Sequence, residues 1–246
     1  MSEEWLEGAF DAVRRGALGE VVDILDVHPD AVRARGEHDV TLLHAAAEQG
    51  HTQVVDVLLE RGADVEAESA WGHTAFEWAA NMNQRGTALH LRDRGAGRAD
   101  VWLAAALGLM DEVAGYFDGA GLKDGAGRFP RAGARLDGWP ADAAFRTGEA
   151  VSDALYIACR NGHLEVARFL RERGGDIQAK GYFGASALHW AAGGGHRDVV
   201  EWLVVEGADL SARDPEFDST AAGWAREFGH DELGAWLDGA SDGATG

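Results

Sequence analysis

The chain has 246 residues, 46% of them hydrophobic, and a formal charge of −20 from 42 acidic and 22 basic side chains. That charge repels nucleic acid and anionic membrane, so neither is expected as a partner; basic partners stay open, although acidity by itself mainly favours solubility. The single cysteine, Cys159, excludes an internal disulfide framework and reads as a small buried hydrophobe. The start, MSEEWLEGAF, has no basic n-region and no apolar h-region, and no window reaches membrane-span length. The expectation is a soluble, cytoplasmic, monomeric protein of bacterial type.

Residues 1–36 read as a degenerate helix pair. Gly16 is its turn glycine, Val21, Ile24 and Leu25 form the second helix's apolar face, and His28-Pro29 ends it. Glu3, Glu4, Glu7, Arg14 and Arg15 supply the polar outside that a terminal cap needs. The stretch from Asp39 to Ala67 is the clearest unit. Thr41 fits an N-cap, and Leu43, Ala46 and Ala47 fall on one face of the first helix. Gly50 takes the left-handed C′ place, Val54, Val55, Leu58 and Leu59 give the second helix its apolar face, and Gly62 ends it. Such a pair cannot bury both faces alone and needs neighbours of the same kind. They are present: Gly162 and Gly195 stand 33 residues apart in like surroundings.

Thr41-Leu42-Leu43-His44, Gly50-His51 and Gly62-Ala63-Asp64, with Leu188-His189, Gly195-His196 and Gly207-Ala208-Asp209, follow one pattern. It resembles the ankyrin repeat, G-x-T-P-L-H-x-A-A-x-x-G-H-x-x-V-V-x-x-L-L-x-x-G-A-D at this period. The resemblance implies an all-α ankyrin-repeat solenoid of about seven helix-turn-helix repeats over residues 1–238. The third repeat runs from Ala70 to Ala96, with Asn83 for the turn glycine, Glu77 for the motif's His and a thin second helix from Arg85 to Arg94. The fourth starts at Val101, its finger cut to GRAD, with Trp102 in the His place. Residues 118–152 are an irregular insertion between the fourth and fifth repeats. Phe129-Pro130, Trp139-Pro140 and Phe145 are too apolar for a flexible linker, so it reads as a folded excursion docked on the array. The fifth repeat starts near Asp153 and the sixth near Gly181. Residues 213–238 form the C-terminal cap, and 239–246 a disordered tail.

In this family the finger tips and the exposed face of each first helix form a concave binding surface. If the Thr of T-x-x-H begins the helix, the residue after the His and those three and four further on share a face. This gives Ala45, Glu48 and Gln49; Trp78, Asn81 and Met82; Leu103, Ala106 and Leu107; Ile157, Arg160 and Asn161; Trp190, Gly193 and Gly194; and Trp224, Glu227 and Phe228. The fingers add Trp71, His73, Tyr182, Phe183 and Phe217. Trp78, Trp190 and Trp224 recur at one position. They suit either packing between neighbouring helices or a ligand groove. Gly193 and Gly194 favour the groove, since each costs its helix about 1 kcal/mol relative to Ala and lets another chain approach the backbone.

His44 and His189 match the family's structural His, and His51, His163, His196 and His230 follow turn glycines, so all six read as scaffold. Successive repeats are about 10 Å apart. That is too far for shared metal ligation at about 2 Å, and no metal or other cofactor is expected. Of the irregular His38, His73 and His90, only His73 lies at a finger worth testing. The Gly119–Gly127 run lacks the Gly-Lys-Ser/Thr of a phosphate loop; H-E-x-x-H does not occur, and no catalytic residue is assigned. The preferred reading is a non-enzymatic module binding a protein or peptide, by fold analogy. The alternative is a small-molecule-binding protein or enzyme built on Glu77, Trp78, Trp102, Arg160, Tyr182 and Trp190, its pocket closed by residues 118–152.

Overall fold

A computed structural model describes residues 4–97, 100–119, 121–127, 150–181 and 184–244. Two compact units are present, one within residues 4–97 and one within 100–244.

In the N-terminal unit α1 (Glu4–Arg14) pairs with α2 (Leu18–Val27), α3 (Leu42–Glu48) with α4 (Thr52–Glu60) and α5 (Ala75–Asn81) with α6 (Arg85–Asp93). The first helices α1, α3 and α5 pack in one row, and α2, α4 and α6 in a second. Helices as short as α3 and α5 do not persist alone in water, so their ends and their packing matter. Thr41 Oγ1 accepts the His44 N–H, and His44 Nδ1 accepts the Thr41 N–H, both at 3.3 Å. Thr74 and Glu77 close the same box, at 3.4 Å and 2.8 Å. Leu42, Leu43, Leu58, Phe76 and Leu91 fill the core between the rows. Asn83 turns the chain with φ 59°, where Gly50 has φ 76°.

In the C-terminal unit α7 (Val101–Ala106) and α8 (Met110–Gly115) are followed by an antiparallel hairpin. Its strands β1 (Phe117–Asp118) and β2 (Gly121–Leu122) set Phe117 opposite Leu122. Then come α9 (Ala150–Arg160) with α10 (Leu164–Arg171), α11 (Ala187–Gly193) with α12 (Arg197–Val205), and α13 (Ala221–Glu227) with α14 (Asp231–Ala244). Helices α7, α9, α11 and α13 form one row. A repeated lock joins the turns within each unit. The rings of His51, His163, His196 and His230 lie on Gly16, Gly108, Gly162 and Gly195 of the preceding pair, where a Cβ would come within 2.5–2.7 Å.

Three boundaries differ from the sequence reading. The insertion begins with the hairpin and folds back, Val101 N–H donating to the Ala126 carbonyl at 3.0 Å. Phe129, Trp139 and Phe145 lie outside the described residues. Helix α9 starts at Ala150, inside the span given to the insertion, and Ser152 Oγ accepts the Asp176 N–H at 3.0 Å. Helix α14 continues to Ala244, through residues expected to be disordered, and no proline interrupts it.

Candidate interaction surface

Helices α3, α5, α7, α11 and α13 each begin at a cap that fixes which side chains face outward. In the N-terminal unit Trp78 lies four residues after its cap, Thr74, and Trp71 lies in the finger before it. Both rings are half-buried and meet edge to face at 5.2 Å. His38 tilts onto Trp71 at 4.8 Å, and the His44 ring meets Trp78 at 5.3 Å. Met82 is 38% exposed beside them in the repeat frame.

His44 is fully used by the scaffold. Its Nδ1 accepts from Thr41, so Nε2 carries the proton and donates to the His73 carbonyl at 2.8 Å. Burial pulls its pKa down to about 4, against the partial opposition of the His73 bond. His73 is buried too, and desolvation and neighbouring His44 bring its ring to about 4. Its Nδ1 lies 4.0 Å from Glu77 Oε2. Glu77 is buried at 2% exposure, and its Oε2 accepts the Thr74 N–H. The sequence reading placed both on the binding surface. Their side chains are interior: Glu77 is a helix cap and His73 a finger strut.

In the C-terminal unit the same geometry recurs with more rings. Trp224, four residues after Thr220, is 4% exposed. It meets Trp190 at 4.9 Å, His189 at 5.7 Å, Phe217 at 6.0 Å and Phe228 at 6.1 Å. Arg160 lies over Trp190 with its guanidinium carbon 4.2 Å from the ring centre. Phe217 and Phe228 are 63% and 60% exposed. His189 repeats the part of His44: Nδ1 accepts from Ser186, and Nε2 donates to the Ser219 carbonyl at 3.1 Å.

Asp214, missed in the sequence, holds this cluster. Its buried carboxylate accepts the N–H groups of Glu216 (3.1 Å), Phe217 (2.6 Å) and Ser219 (3.1 Å) and Trp224 Nε1 (2.9 Å). Burial opposes the charge, but the Phe217 N–H, the indole and the Ser219 N–H outweigh it and keep the carboxyl below its usual range. The available signal was an Asp three residues before an exposed aromatic, the spacing of a side chain that closes a turn.

Besides His73, Glu77 and Trp224, two more predicted residues, Trp102 and Asn161, leave the surface, and Gly193 and Gly194 offer no room beside Trp190. The cap of α7 is Asp100, whose Oδ1 accepts the Leu103 N–H at 2.7 Å. That puts Leu103 in the His place and makes Trp102, like Leu43 and Phe76, a core residue. Asn161 is buried and donates to the Ala106 carbonyl at 2.9 Å. Gly193 leaves no vacancy: a Cβ there would lie 3.2 Å from Phe228 and 3.3 Å from Trp224. At Gly194 it would lie 2.7 Å from the His196 ring. Tyr182 and Phe183 lie outside the described residues. Clefts of about 280 and 150 Å³ lie at Leu210, Arg213 and Leu237 and at Leu25, Pro29 and Arg61, and no predicted site residue lines either. No cluster among the described residues could hold a metal, and no described helix is long and apolar enough to cross a membrane.

A family model described as ankyrin repeats (3 copies) matches residues 9–102 and 141–214, more than half of the chain. The chain belongs to the ankyrin-repeat family, whose members generally act as protein-interaction modules. No curated protein matches it.

Proposed function

We propose that this protein is a cytoplasmic, monomeric binding module for a protein or peptide, and that its aromatic finger and first-helix positions make the contact. The observation that carries the reading is the recurrence of one arrangement in both units. A finger aromatic, Trp71 or Phe217, lies edge to face on the Trp seven residues later, Trp78 or Trp224. Each cluster leaves aromatic or Met surface uncovered: Trp71, Trp78 and Met82 in one, Phe217 and Phe228 in the other. Large apolar side chains held open by scaffold contacts suit a partner's side chains. Cys159 is fully buried and its thiol pushed up by desolvation, which fits a structural and not a redox part. The small-molecule alternative loses support because Glu77 and Trp102, two of its residues, are interior.

The test is a random-peptide display selection on the immobilised full chain, run beside a metabolite thermal-shift screen. The reading expects saturable peptide binders that weaken at least tenfold in Trp78→Ala or in Phe217→Ala with Phe228→Ala. Peptides indifferent to all three substitutions, or metabolite hits without peptide binders, would overturn it.

A further inference from the structure

Among the described residues, the C-terminal unit exposes its two largest phenylalanine surfaces on either side of one buried ring. Phe217 and Phe228 both pack on Trp224, at 6.0 and 6.1 Å, so they belong to one patch and are not scattered exposures. Phe217 is also held outward: its own N–H and those of Glu216 and Ser219 are bound by Asp214. A side chain set in place by an ionised, buried anchor is already ordered before a partner arrives.

The charge around the patch has one sign. Residues 213–232 hold six acids (Asp214, Glu216, Asp218, Glu227, Asp231 and Glu232) against two arginines, a difference of four negative charges. Both arginines are committed: Arg213 Nε donates to Asp218 Oδ1 at 2.7 Å, and Arg226 pairs with Asp238. Glu216, beside Phe217, and Glu227, beside Phe228, are exposed and have no ion pair among the described residues. The molecule already shows how a guanidinium fits this aromatic row, in Arg160 over Trp190.

We propose that the patch of Phe217, Phe228 and the Trp224 edge docks a basic segment of another protein, one apolar side chain flanked by Lys or Arg. This rests on the protein-binding reading above. The apolar residue covers the two phenylalanines, and the cations meet Glu216 and Glu227 and the aromatic faces. A second copy of the chain is disfavoured as occupant, since each copy carries −20.

The test measures fluorescence anisotropy of three labelled twelve-residue peptides against the full chain, at 50 and 300 mM NaCl. The peptides contain Leu with Lys and Arg, Leu with Asp and Glu, and Leu with Ser and Gly. A basic peptide will stick to any acidic protein, so the deciding variant is Phe217→Ala with Phe228→Ala, which keeps every charge. The expected result is that the basic peptide binds best and loses at least tenfold in that variant. It should lose about threefold in Glu216→Gln with Glu227→Gln, and weaken as salt rises. Circular dichroism and thermal midpoints show whether the variants are folded, and both substituted pairs are exposed. Basic-peptide binding unchanged by the Phe substitutions overturns the site. Equal or better binding by the acidic or neutral peptide overturns the partner class. No binding by any of the three overturns the proposal. If display-selected peptides lose affinity in Trp78→Ala alone, this inference fails while the protein-binding reading stands.

Discussion

The two aromatic clusters occupy equivalent places in the two units, yet one side chain has opposite fates. His44, Trp71, Trp78 and Met82 correspond in the repeat frame to His189, Phe217, Trp224 and Phe228. Trp78 is half-buried and Trp224 is 4% exposed. The difference comes from the preceding repeat, where Ala45 in the N-terminal unit stands in the place of Trp190. Trp190 puts a ring edge to face on Trp224 at 4.9 Å; a methyl group cannot. Asp214 then binds the Trp224 indole N–H, which leaves the buried ring no unmet donor. The same repeat position is therefore core in one unit and half-buried in the other, and the neighbours Trp190 and Asp214 mark the difference.

The largest expected effect tests that statement directly. Trp224→Ala should cost about 3–5 kcal/mol, the range for a buried aromatic, and Trp78→Ala clearly less, about 1–2 kcal/mol. Urea unfolding of the full-length variants measures both. Equal losses would mean that Trp78 is as much a core residue as Trp224. Ala45→Trp should sharpen the contrast, raising the cost of a later Trp78→Ala if the new ring packs as Trp190 does.

The next effect concerns the histidine struts of the N-terminal unit. His44 and His73 are held down to about 4 by burial, against 6.5 for an ordinary imidazole. A depressed folded-state pKa means that the neutral ring is the one that fits. The associated stability is complete above pH 6.5 and is lost as pH falls through 6.5 towards 4. By pH 5 the loss should be roughly 2 kcal/mol for each ring. Ring resonances followed by NMR, with urea unfolding at pH 7.5, 6 and 5, check it. Either ring titrating near 6.5 in the folded chain would break the argument.

His189→Ala comes below these. It removes the bridging bond to the Ser219 carbonyl and the cap contacts of Nδ1 with the Ser186 N–H and hydroxyl, and should cost about 1–2 kcal/mol. Peptide binding should persist at temperatures where the variant is folded. Lost binding with an unchanged thermal midpoint would give that ring a functional part.

What was legible in the sequence was whatever repeats. Thr41, Thr74 and Thr220 as caps, and Trp78, Trp190 and Trp224 at one register, follow from the period and from helical geometry. What misled were exchanges within that frame. Asp caps as well as Thr, and putting Trp102 in the His place set the frame one residue early, which turned Trp102 onto the wrong face. Thr74-x-x-Glu77 is itself a capping box, so Glu77 needed no chemical explanation. Asn161 binds a carbonyl 55 residues earlier, across the insertion, and Asp214 acts through an irregular turn. No periodicity registers contacts of those kinds.

The smallest effect belongs to Gly193, where the sequence suggests room and the structure shows rings. In an exposed helix, Gly→Ala gains about 1 kcal/mol. Here the new methyl would meet Phe228 at 3.2 Å and Trp224 at 3.3 Å, both tight contacts. Phe228 is 60% exposed and can swing outward, whereas Trp224 is enclosed by four rings and tied to Asp214. The gain in helix propensity and the crowding of Trp224 should nearly cancel, leaving stability within about 0.5 kcal/mol of the parent. Gly194→Ala differs, because its methyl would meet the His196 ring at 2.7 Å, and that ring is already wedged on Gly162. It should destabilise, and the pair of thermal midpoints should separate accordingly. A full 1 kcal/mol gain from Gly193→Ala would show that Trp224 has space to yield. The cluster would then be adjustable, and Phe217 and Phe228 could not be treated as a patch fixed before its partner arrives.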